Sequence, residues 1–494
     1  MGFDRNNFAL DAEQRQRLGY QLIDRINAYF SSLTTLPVQP PLDQRNFQPH
    51  AITLPDLGQD AAHVLDDLCT QMIEQGFHVP SANYFGLMNP APAYMAVLAE
   101  ALVAALNPQL ATMARSQLAS RIEAETFGWI AQRLGWRHPE QCGGSFTSGG
   151  NEANFSALAL ALTHRFPSWI EEGLASLNAR PIFYASAEAH HSIEKSLGLL
   201  GVGRKSLRRI ATNARAEIDT TALAAQIQAD KAAGLLPLCV IATAGTTSSG
   251  AIDPLPEVAN LCAHHGLWLH VDAAYAGALA FTDAHRHRLA GIERADSITI
   301  DPHKWLAMPF AAGVMLTRHP ALLEPTFGID TAYLPKSSHG PLPDNFRISA
   351  QWSRRMNSLK LWLTLRVHGR LAYEQMIGHQ LALAASLEEK ILATGSFVLA
   401  VPRALTILNL RAKVAEDLHL DEPATAHLHR EIARRITDEG LYWFSTTRVR
   451  SQSVLRLMII SYSTQQEHID ALVRRLDQAA QEAAAVCGII PARK

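Results

Sequence analysis

The sequence predicts an α/β protein built around a mostly parallel β-sheet. Between residues 143 and about 318, short β-prone runs alternate with helical stretches, which is typical of parallel strands joined by crossover helices. The runs are apolar throughout rather than at every second position, as expected for strands covered on both faces. In such sheets ligands bind at the carboxyl ends of the strands. The five runs begin at Ile182, Leu238, Leu267, Ser297 and Gly313.

The composition indicates an ordinary globular protein of two or three domains. A chain of 494 residues is too long for a single small core. The net charge of −2 gives no reason to expect nucleic acid or an anionic membrane as a partner. The five cysteines include no CxxC pair, and the histidine pairs lie in polar or helical contexts, so we expect no disulfide framework and no metal site. Without a signal-peptide pattern or an apolar run of ~20 residues, the expected location is the cytoplasm.

The N-terminal part is predicted to be helical. Residues 11–32 match an amphipathic helix, with Asp11 and Gln14 as a capping box and one apolar face. Further helices are expected over 59–75 and within 89–133. The apolar face of the first helix has no evident partner within the chain, which favours an intertwined C2 homodimer.

The C-terminal part is predicted to form a smaller α+β domain. A Pro-, Gly- and Ser-rich loop over 335–345 and a helix over 359–377 precede it. We therefore expect three regions: an N-terminal helical dimerisation segment, a large α/β domain that holds the site, and the small domain. Their predicted boundaries are 1–95, 96–375 and 376–494.

A candidate phosphate site lies in the stretch TSGGNEAN, where Gly149, Gly150 and Asn151 precede an Ala/Leu-rich helix. Glycines let the backbone approach a phosphate closely, and a helix N-terminus favours an anion. A plain loop-to-helix turn explains the same residues equally well.

Two further strand ends carry polar side chains. His190 follows the run that begins at Ile182, and an imidazole there can stack on a pyridine ring, or simply cap a helix. Thr246 follows the run that begins at Leu238, and its hydroxyl could reach ring substituents, or belong to an ordinary Thr/Ser turn.

The last two strand ends carry Asp272 and Lys304, one of only nine lysines in the chain. Pyridoxal phosphate needs a Schiff-base lysine and an acidic partner for its pyridine nitrogen. The small Ala274 lets a flat ring lie against the backbone, and His303 could position the substrate carboxylate or shuttle a proton. A surface lysine after a buried strand is the alternative, but five such signals in one order favour a single cofactor site.

The motifs TSGGNEAN, SAEAHHS, ATAGTTSSGAIDP, WLHVDAAYAG and ADSITIDPHKW resemble those of the group II pyridoxal-phosphate-dependent amino-acid decarboxylases. The resemblance covers nearly the whole chain. It implies a type I aminotransferase-like fold with a mostly parallel seven-stranded sheet, and a homodimer whose N-terminal segments swap.

The resemblance also implies a role for each site residue. Lys304 would form the Schiff base, Asp272 would pair with the pyridine nitrogen, and His190 would stack on the ring. Thr246 would lie near the ring substituents. The phosphate would be bound by the loop of Gly149, Gly150 and Asn151 with help from Asp301 and His303. Tyr333 resembles the loop tyrosine that protonates the substrate carbon, unless it is an ordinary loop aromatic.

The substrate is predicted to have a neutral side chain, aromatic or apolar. The predicted substrate wall over 79–92 contains Leu87, Met88, Asn89 and Pro90, and no Asp, Glu, Lys or Arg lies between Val79 and Val97. A buried substrate charge would need a complementary partner there.

One departure from the family pattern is Asp301, where animal aromatic decarboxylases usually have asparagine. Alternatives are an oxidative decarboxylase that yields aldehydes, another pyridoxal-phosphate lyase, or a non-catalytic cofactor-binding scaffold.

Overall fold

The structure is a computed structural model that describes residues 9–45, 54–331 and 342–489. Its α-helices, in chain order, are α1 (Ala12–Ser32), α2 (Ala61–Glu74), α3 (Tyr94–Leu106), α4 (Met113–Arg133), α5 (Gly150–Arg165), α6 (Trp169–Glu172), α7 (Ser192–Leu199), α8 (Thr220–Ala232), α9 (Leu255–His265), α10 (Leu323–Phe327), α11 (Ser358–Ala393), α12 (Lys413–Asp417), α13 (Glu422–Asp438) and α14 (Gln466–Val486). Its β-strands are β1 (Gly143–Thr147), β2 (Pro181–Ser186), β3 (Leu207–Ile210), β4 (Leu236–Thr243), β5 (Trp268–Asp272), β6 (Ser297–Ile300), β7 (Gly313–Thr317), β8 (Phe397–Leu399), β9 (Ile407–Ala412), β10 (Ser445–Val449) and β11 (Gln452–Met458).

The larger sheet contains seven strands in the order β1-β7-β6-β5-β4-β2-β3. Strand β7 runs antiparallel to both of its neighbours, and the other pairs are parallel. Apolar clusters lie on both faces of the sheet, between the strands and the helices that cover them. The predicted α/β class and the mostly parallel seven-stranded sheet are therefore confirmed, and burial on both faces explains the apolar strands.

Two strands of the larger sheet were not identified from the sequence. They are β1 and β3, the outermost strands on either side. Strand β1 begins with two glycines, and β3 contains two arginines and is only partly buried. Edge strands have one free side, so their sequences need not be apolar throughout, and this weakens the pattern that identifies the central strands.

The smaller sheet has four antiparallel strands in the order β10-β11-β9-β8. Helices α13 and α14 pack on it around a second apolar cluster. This confirms the smaller C-terminal α+β unit.

Helix α11 connects the two sheets and is longer than the predicted helix over 359–377. It runs for 36 residues, with a break at Gly369, whose φ of 71° and ψ of 171° lie outside the helical region. The predicted domain boundary at 375/376 falls inside this helix. The three domain ranges therefore stay predictions.

The N-terminal helix α1 begins as predicted, with the capping box of Asp11 and Gln14 in place. The Arg25 guanidinium pairs with the Asp66 carboxylate and so joins α1 to α2. No residue of α1 is buried within the described chain. Within the described ranges, each helix is too short or too polar to span a bilayer.

Candidate active site

Four neighbouring strands end at one edge of the larger sheet, and the predicted site residues follow them. His190 comes after β2, Thr246 after β4 and Lys304 after β6, while Asp272 is the last residue of β5. Because these strands are parallel neighbours, their carboxyl ends meet at one edge, where ligands bind in such folds. The charges of Asp272 and Lys304 also act on the pKa of the His190 imidazole. The structure therefore brings these residues together in one site.

The Asp272 carboxylate is buried at the end of β5, with 5% of the residue exposed. Its Oδ2 accepts a hydrogen bond from Asn154 Nδ2 (2.9 Å), and its Oδ1 accepts one from the Ala274 backbone N–H (3.1 Å). Within the described ranges, no Lys, Arg or His side chain forms an ion pair with it. A buried carboxylate is normally paired with a cation, so this site fits a positively charged ring nitrogen.

Lys304 lies in a compact cluster with Asp301 and His303. Its Nζ is 3.1 Å from Asp301 Oδ2, and His303 Nε2 is 3.5 Å from the same oxygen. Burial opposes ionisation of Asp301, but the Lys304 charge and the His303 hydrogen bond outweigh it and hold the pKa of Asp301 below its usual value. The charge of Asp301, which stands where animal aromatic decarboxylases usually have asparagine, is thus balanced by the charge of Lys304.

His303 is held against the loop that precedes β7. Its Nδ1 accepts a hydrogen bond from the Ala312 backbone N–H (3.0 Å), so Nε2 is the nitrogen that faces Asp301. The other oxygen of this carboxylate, Asp301 Oδ1, is buried and has no hydrogen-bond partner among the described residues. An acceptor of this kind fits a site that is completed by a further group.

The glycines of the predicted phosphate loop lie directly against this cluster. A Cβ at Gly150 would lie 2.9 Å from Asp301 Oδ2, and one at Gly149 would lie 3.1 Å from His303 Cε1. Gly149 also has a φ of +152°, which side chains disfavour. Helix α5 starts at Gly150, and Asn151 is exposed in its first turn. The loop backbone therefore lies close to Asp301 and His303, and α5 begins at this point. A close backbone and a helix N-terminus are the features that favour phosphate binding.

His190 has a defined tautomer in its neutral form. Its Nδ1 accepts a hydrogen bond from the Ser192 backbone N–H (3.2 Å), which leaves the proton on Nε2. Burial lowers the pKa of His190, which favours this neutral form. Thr246 is fully buried, and its hydroxyl lies 2.7 Å from Ser249 Oγ within its own turn. The structure thus places the hydroxyl of Thr246 at the correct strand end, where it is bonded within the turn.

The predicted substrate wall lies between two loops of the site. The Ala93 backbone N–H donates to the Ala307 carbonyl (2.7 Å), which ties the wall to the loop after Lys304. On its other side, Arg456 donates to both Gly86 O and Thr247 O. Within the wall, Leu87 is exposed, Asn89 is half-buried, and Met88 and Pro90 are buried. Which of these four side chains contact a substrate stays a prediction.

One predicted site residue is not described by the structure, and two residues that were not predicted belong to the site. Tyr333, the predicted proton donor, lies outside the described residues. Asn154 and His270 were not predicted from the sequence, yet both lie beside Asp272 and form hydrogen bonds there. The spacing His270-Val-Asp272 was a usable signal, because residues two apart on a strand share a face.

Comparison with known proteins agrees with this geometry. Residues 41–413 match the family model described as pyridoxal-dependent decarboxylase conserved domain. An aromatic-L-amino-acid decarboxylase of Bacillus atrophaeus is 31% identical over 96% of this chain and 97% of its own length. An L-2,4-diaminobutyrate decarboxylase of Rhizobium meliloti (strain 1021) is 33% identical over 72% of this chain and 70% of its own length.

Solved structures show the same fold. The crystal structure of Oryza sativa TDC with PLP and tryptamine superimposes with a TM-score of 0.89 at 26% identity, covering 97% of this chain and 99% of that one. The family match spans the strand ends that carry Asp272 and Lys304. The chain is therefore a member of the pyridoxal-dependent decarboxylase family, a lyase that acts on amino acids with pyridoxal phosphate as its cofactor.

Proposed function

We propose that the protein decarboxylates an L-amino acid with a neutral side chain, aromatic or apolar, to the amine and carbon dioxide. The observation that carries this proposal is the uncharged segment from Val79 to Val97, which lies between the Lys304 loop and the Thr246 turn. A charged substrate side chain buried there would need a complementary partner.

One cation does contact this segment, but its hydrogen bonds are directed elsewhere. Arg456 is buried, and burial lowers its pKa only to about 10, so it is charged at neutral pH. Its Nε donates to Thr247 O (2.8 Å), its Nη1 donates to Gly86 O, and its Nη2 lies 3.5 Å from Met458 Sδ. Because these groups occupy the guanidinium, we assign Arg456 to the framework of the site rather than to substrate selection.

The residues of the site divide the chemistry between them. When bound, pyridoxal phosphate supplies an electrophilic carbonyl and a ring that takes up the electron pair of the breaking Cα–carboxylate bond. Lys304 provides the amine that holds the cofactor, and Asp272 keeps a proton on the ring nitrogen. The loop of Gly149, Gly150 and Asn151 binds the phosphate, with Asp301 and His303 beside it.

Three further side chains act at the ring or at the substrate in this proposal. His190 carries its proton on Nε2, and we assign it to stacking on the ring. His303 is a candidate for orienting the substrate carboxylate. Tyr333 protonates Cα after carbon dioxide leaves, and exclusion of water from the site limits side reactions.

The substrate proposal is tested by measuring carbon dioxide release from each of the twenty L-amino acids. We expect turnover of aromatic or large apolar amino acids. Turnover of glutamate alone, or of a basic amino acid alone, would contradict the proposal. The same reactions are assayed for peroxide and aldehyde, because their appearance with the amine absent would establish the oxidative alternative.

We also propose that the protein is a homodimer. The apolar side chains Tyr20 and Leu22 of α1 and Val64, Leu68 and Met72 of α2 are exposed in the described chain. Burial of such side chains in a second copy would remove apolar surface from water. Light scattering that gives the mass of one 54.1 kDa chain would refute it. The cytoplasmic location stays a prediction from the sequence.

A further inference from the structure

A series of buried hydrogen bonds leads from Asp272 into the centre of the larger sheet. Asn154, on α5, donates from Nδ2 to Asp272 Oδ2 (2.9 Å) and accepts at Oδ1 from His270 Nε2 (3.0 Å). His270 Nδ1 lies 2.9 Å from Ser297 Oγ. Ser297 Oγ in turn accepts from Trp268 Nε1 (2.9 Å). We call these four residues, Asn154, His270, Ser297 and Trp268, the Asp272 relay.

The directions of the bonds in the relay follow from its two ends, because the indole N–H of Trp268 can only donate and Asp272 Oδ2 accepts from Asn154. The indole N–H of Trp268 can only donate, so Ser297 Oγ accepts there and its own hydrogen is free for His270 Nδ1. Burial lowers the pKa of His270 to about 4, so the ring is neutral near pH 7 and carries its hydrogen on Nε2. Asn154 must then turn its oxygen to His270 and its N–H group to Asp272.

The relay is built on rigid and buried parts of the fold. Trp268, His270 and Asp272 alternate along β5 and therefore share one face. Ser297 is the register partner of His270 on β6, and α5 brings Asn154 over the same face. None of the four relay residues is more than 4% exposed. Solvent therefore does not compete for these hydrogen bonds.

We infer that Asn154 and His270 are positioning residues that fix the Asp272 carboxylate, which holds the proton on the ring nitrogen of pyridoxal phosphate. This inference rests on the cofactor role of Asp272 within the proposed function. A neutral relay that ends in an N–H donor supports an ionised carboxylate, because a hydrogen bond to the charged form favours that form.

The consequence is measurable in cofactor binding. A hydrogen bond to a charged group contributes enough that its loss changes a binding constant by about 10- to 100-fold. Asn154→Leu removes the donor to Asp272, and His270→Met removes the group that orients Asn154. His270→Gln places an amide N–H near the former Nε2 position and is the conservative variant. Ser156→Ala is the matched control, since Ser156 is equally buried on α5 and its hydroxyl has no partner in the described chain.

The test uses the full chain loaded with pyridoxal phosphate that carries ¹⁵N in its ring. Two readouts are taken: the dissociation constant of the cofactor by titration, and the ¹⁵N chemical shift of the ring nitrogen, which reports its protonation. We expect Asn154→Leu and His270→Met to bind the cofactor about 10- to 100-fold more weakly, with the shift moved toward the unprotonated value. His270→Gln and Ser156→Ala should resemble the wild type in both.

Circular dichroism establishes which variants fold, and one folded variant of Asn154 or His270 is sufficient for the comparison. A folded Asn154→Leu or His270→Met protein with the wild-type ring shift and affinity would overturn the inference. A loss of affinity in Ser156→Ala of the same size would also overturn it, because the effect would then reflect packing alone. Neither readout involves turnover, so a wrong substrate proposal would leave this test unaffected.

Discussion

Lys304 is fixed by its neighbours on two sides. Its ammonium group lies against Asp301, and the next residue, Trp305, is fully buried. The Trp305 ring stacks on Tyr275 with 4.7 Å between ring centroids, and its Nε1 donates to Gln380 Oε1 (2.7 Å). The backbone that carries the lysine is therefore held by a core contact, while the amine itself remains partly accessible.

At the residue scale, we expect Lys304→Ala to abolish both turnover and the visible absorbance of the bound cofactor. In the proposed function, the lysine supplies the amine that the cofactor carbonyl needs. Lys195→Ala is the control, since Lys195 is exposed on α7 and has no role in the proposed site. Absorbance spectra of the purified proteins check this, and an unchanged visible band in the Lys304 variant would show that another amine holds the cofactor.

His429, in the small α+β unit, should make the protein sensitive to acid. It is fully buried, and burial lowers its pKa to about 4. Its Nε2 accepts the Ala412 backbone N–H (3.1 Å) and cannot do so when protonated. The unfolded chain takes up this proton near pH 6.5 and the folded chain only near 4, so the stabilisation is complete above pH 6.5 and is lost as the pH falls toward 4.

We therefore expect His429→Gln to lose less stability than the wild type between pH 6.5 and 4, by roughly 3 kcal/mol, because glutamine keeps an acceptor but does not titrate. Urea unfolding at several pH values measures the free energy of unfolding of both proteins. Parallel pH profiles for the two proteins would contradict this assignment. His427→Gln serves as the control on the same helix.

At the element scale, strand β7 packs directly against the predicted phosphate loop. Gly313, its first residue, is opposite Thr147 at the end of β1. A Cβ at Gly313 would lie 2.5 Å from Thr147 Oγ1 and 2.6 Å from two backbone atoms of Gly149. Backbone atoms cannot yield as a flexible side chain does, so β7 and the loop must separate if position 313 carries a side chain.

Gly313→Ala should accordingly weaken cofactor binding and lower the free energy of unfolding by about 1–3 kcal/mol through overpacking. Gly128→Ala is the matched control, because a Cβ there meets nothing within 4 Å and Gly128 lies within α4. The control should be neutral or stabilising. Cofactor titration and urea unfolding provide the two measurements, and equal behaviour of both variants would argue against the close contact.

Helix α4 is joined to the segment before α11 by a buried ion pair. Arg354 Nη2 lies 2.6 Å from Glu123 Oε1, and both side chains are almost inaccessible. Burial raises the pKa of Glu123 against the opposing charge of Arg354. We expect Glu123→Gln to destabilise the protein by about 3–5 kcal/mol, since it leaves a buried cation unpaired. Calorimetry checks this, and Glu125→Gln on the exposed side of α4 is the control.

The sequence predicted most elements, and the exceptions have local causes. Alternating apolar runs and helical stretches identified β2, β4, β5, β6 and β7, because these strands are buried on both faces. The edge strands β1 and β3 lack that pattern. Helix α11 was predicted to end near residue 377 although it continues to Ala393, because its later turns pack on α14 in a contact that no local pattern reveals.

At the scale of the whole molecule, the small unit contributes directly to the site. Tyr275 Oη lies 2.7 Å from Thr406 Oγ1, and Asn409 Nδ2 donates to Ser248 O (2.9 Å). Arg456 joins three parts of the chain through Gly86, Thr247 and its own strand β11. No carboxylate forms an ion pair with Arg456 among the residues that the structure describes. Its position is therefore maintained by two backbone carbonyls and the Met458 sulfur.

Arg456→Met should lower both stability and cofactor affinity, because two buried carbonyls lose their donor. Each unsatisfied group costs about 1–3 kcal/mol, partly offset by removal of a buried charge. Arg448→Met, on the exposed side of β10, is the control. Thermal unfolding with and without pyridoxal phosphate measures both effects. A variant as stable as the control would show that the carbonyls find other donors.

The site was predicted less completely than the fold. Lys304, Asp272 and His190 were predicted because each ends or follows a recognisable strand and matches a family motif. Asn154 was quoted within a motif but received no role, because its partners His270 and Asp272 lie 116 and 118 residues away in the sequence. Contacts over such separations depend on the topology of the sheet, which the sequence alone predicted only in outline.

The contacts of Arg456 with Gly86 and Thr247 have a consequence for the timing of maturation. During synthesis, Asp272 and Lys304 leave the ribosome well before Arg456, which follows Lys304 by 152 residues in the sequence. Until then the nascent polypeptide lacks the donor that joins Gly86 to Thr247, so the segment 79–92 is not yet tied to the Thr246 turn. Capture of the vitamin-derived coenzyme should therefore be a late event that follows synthesis of the small unit.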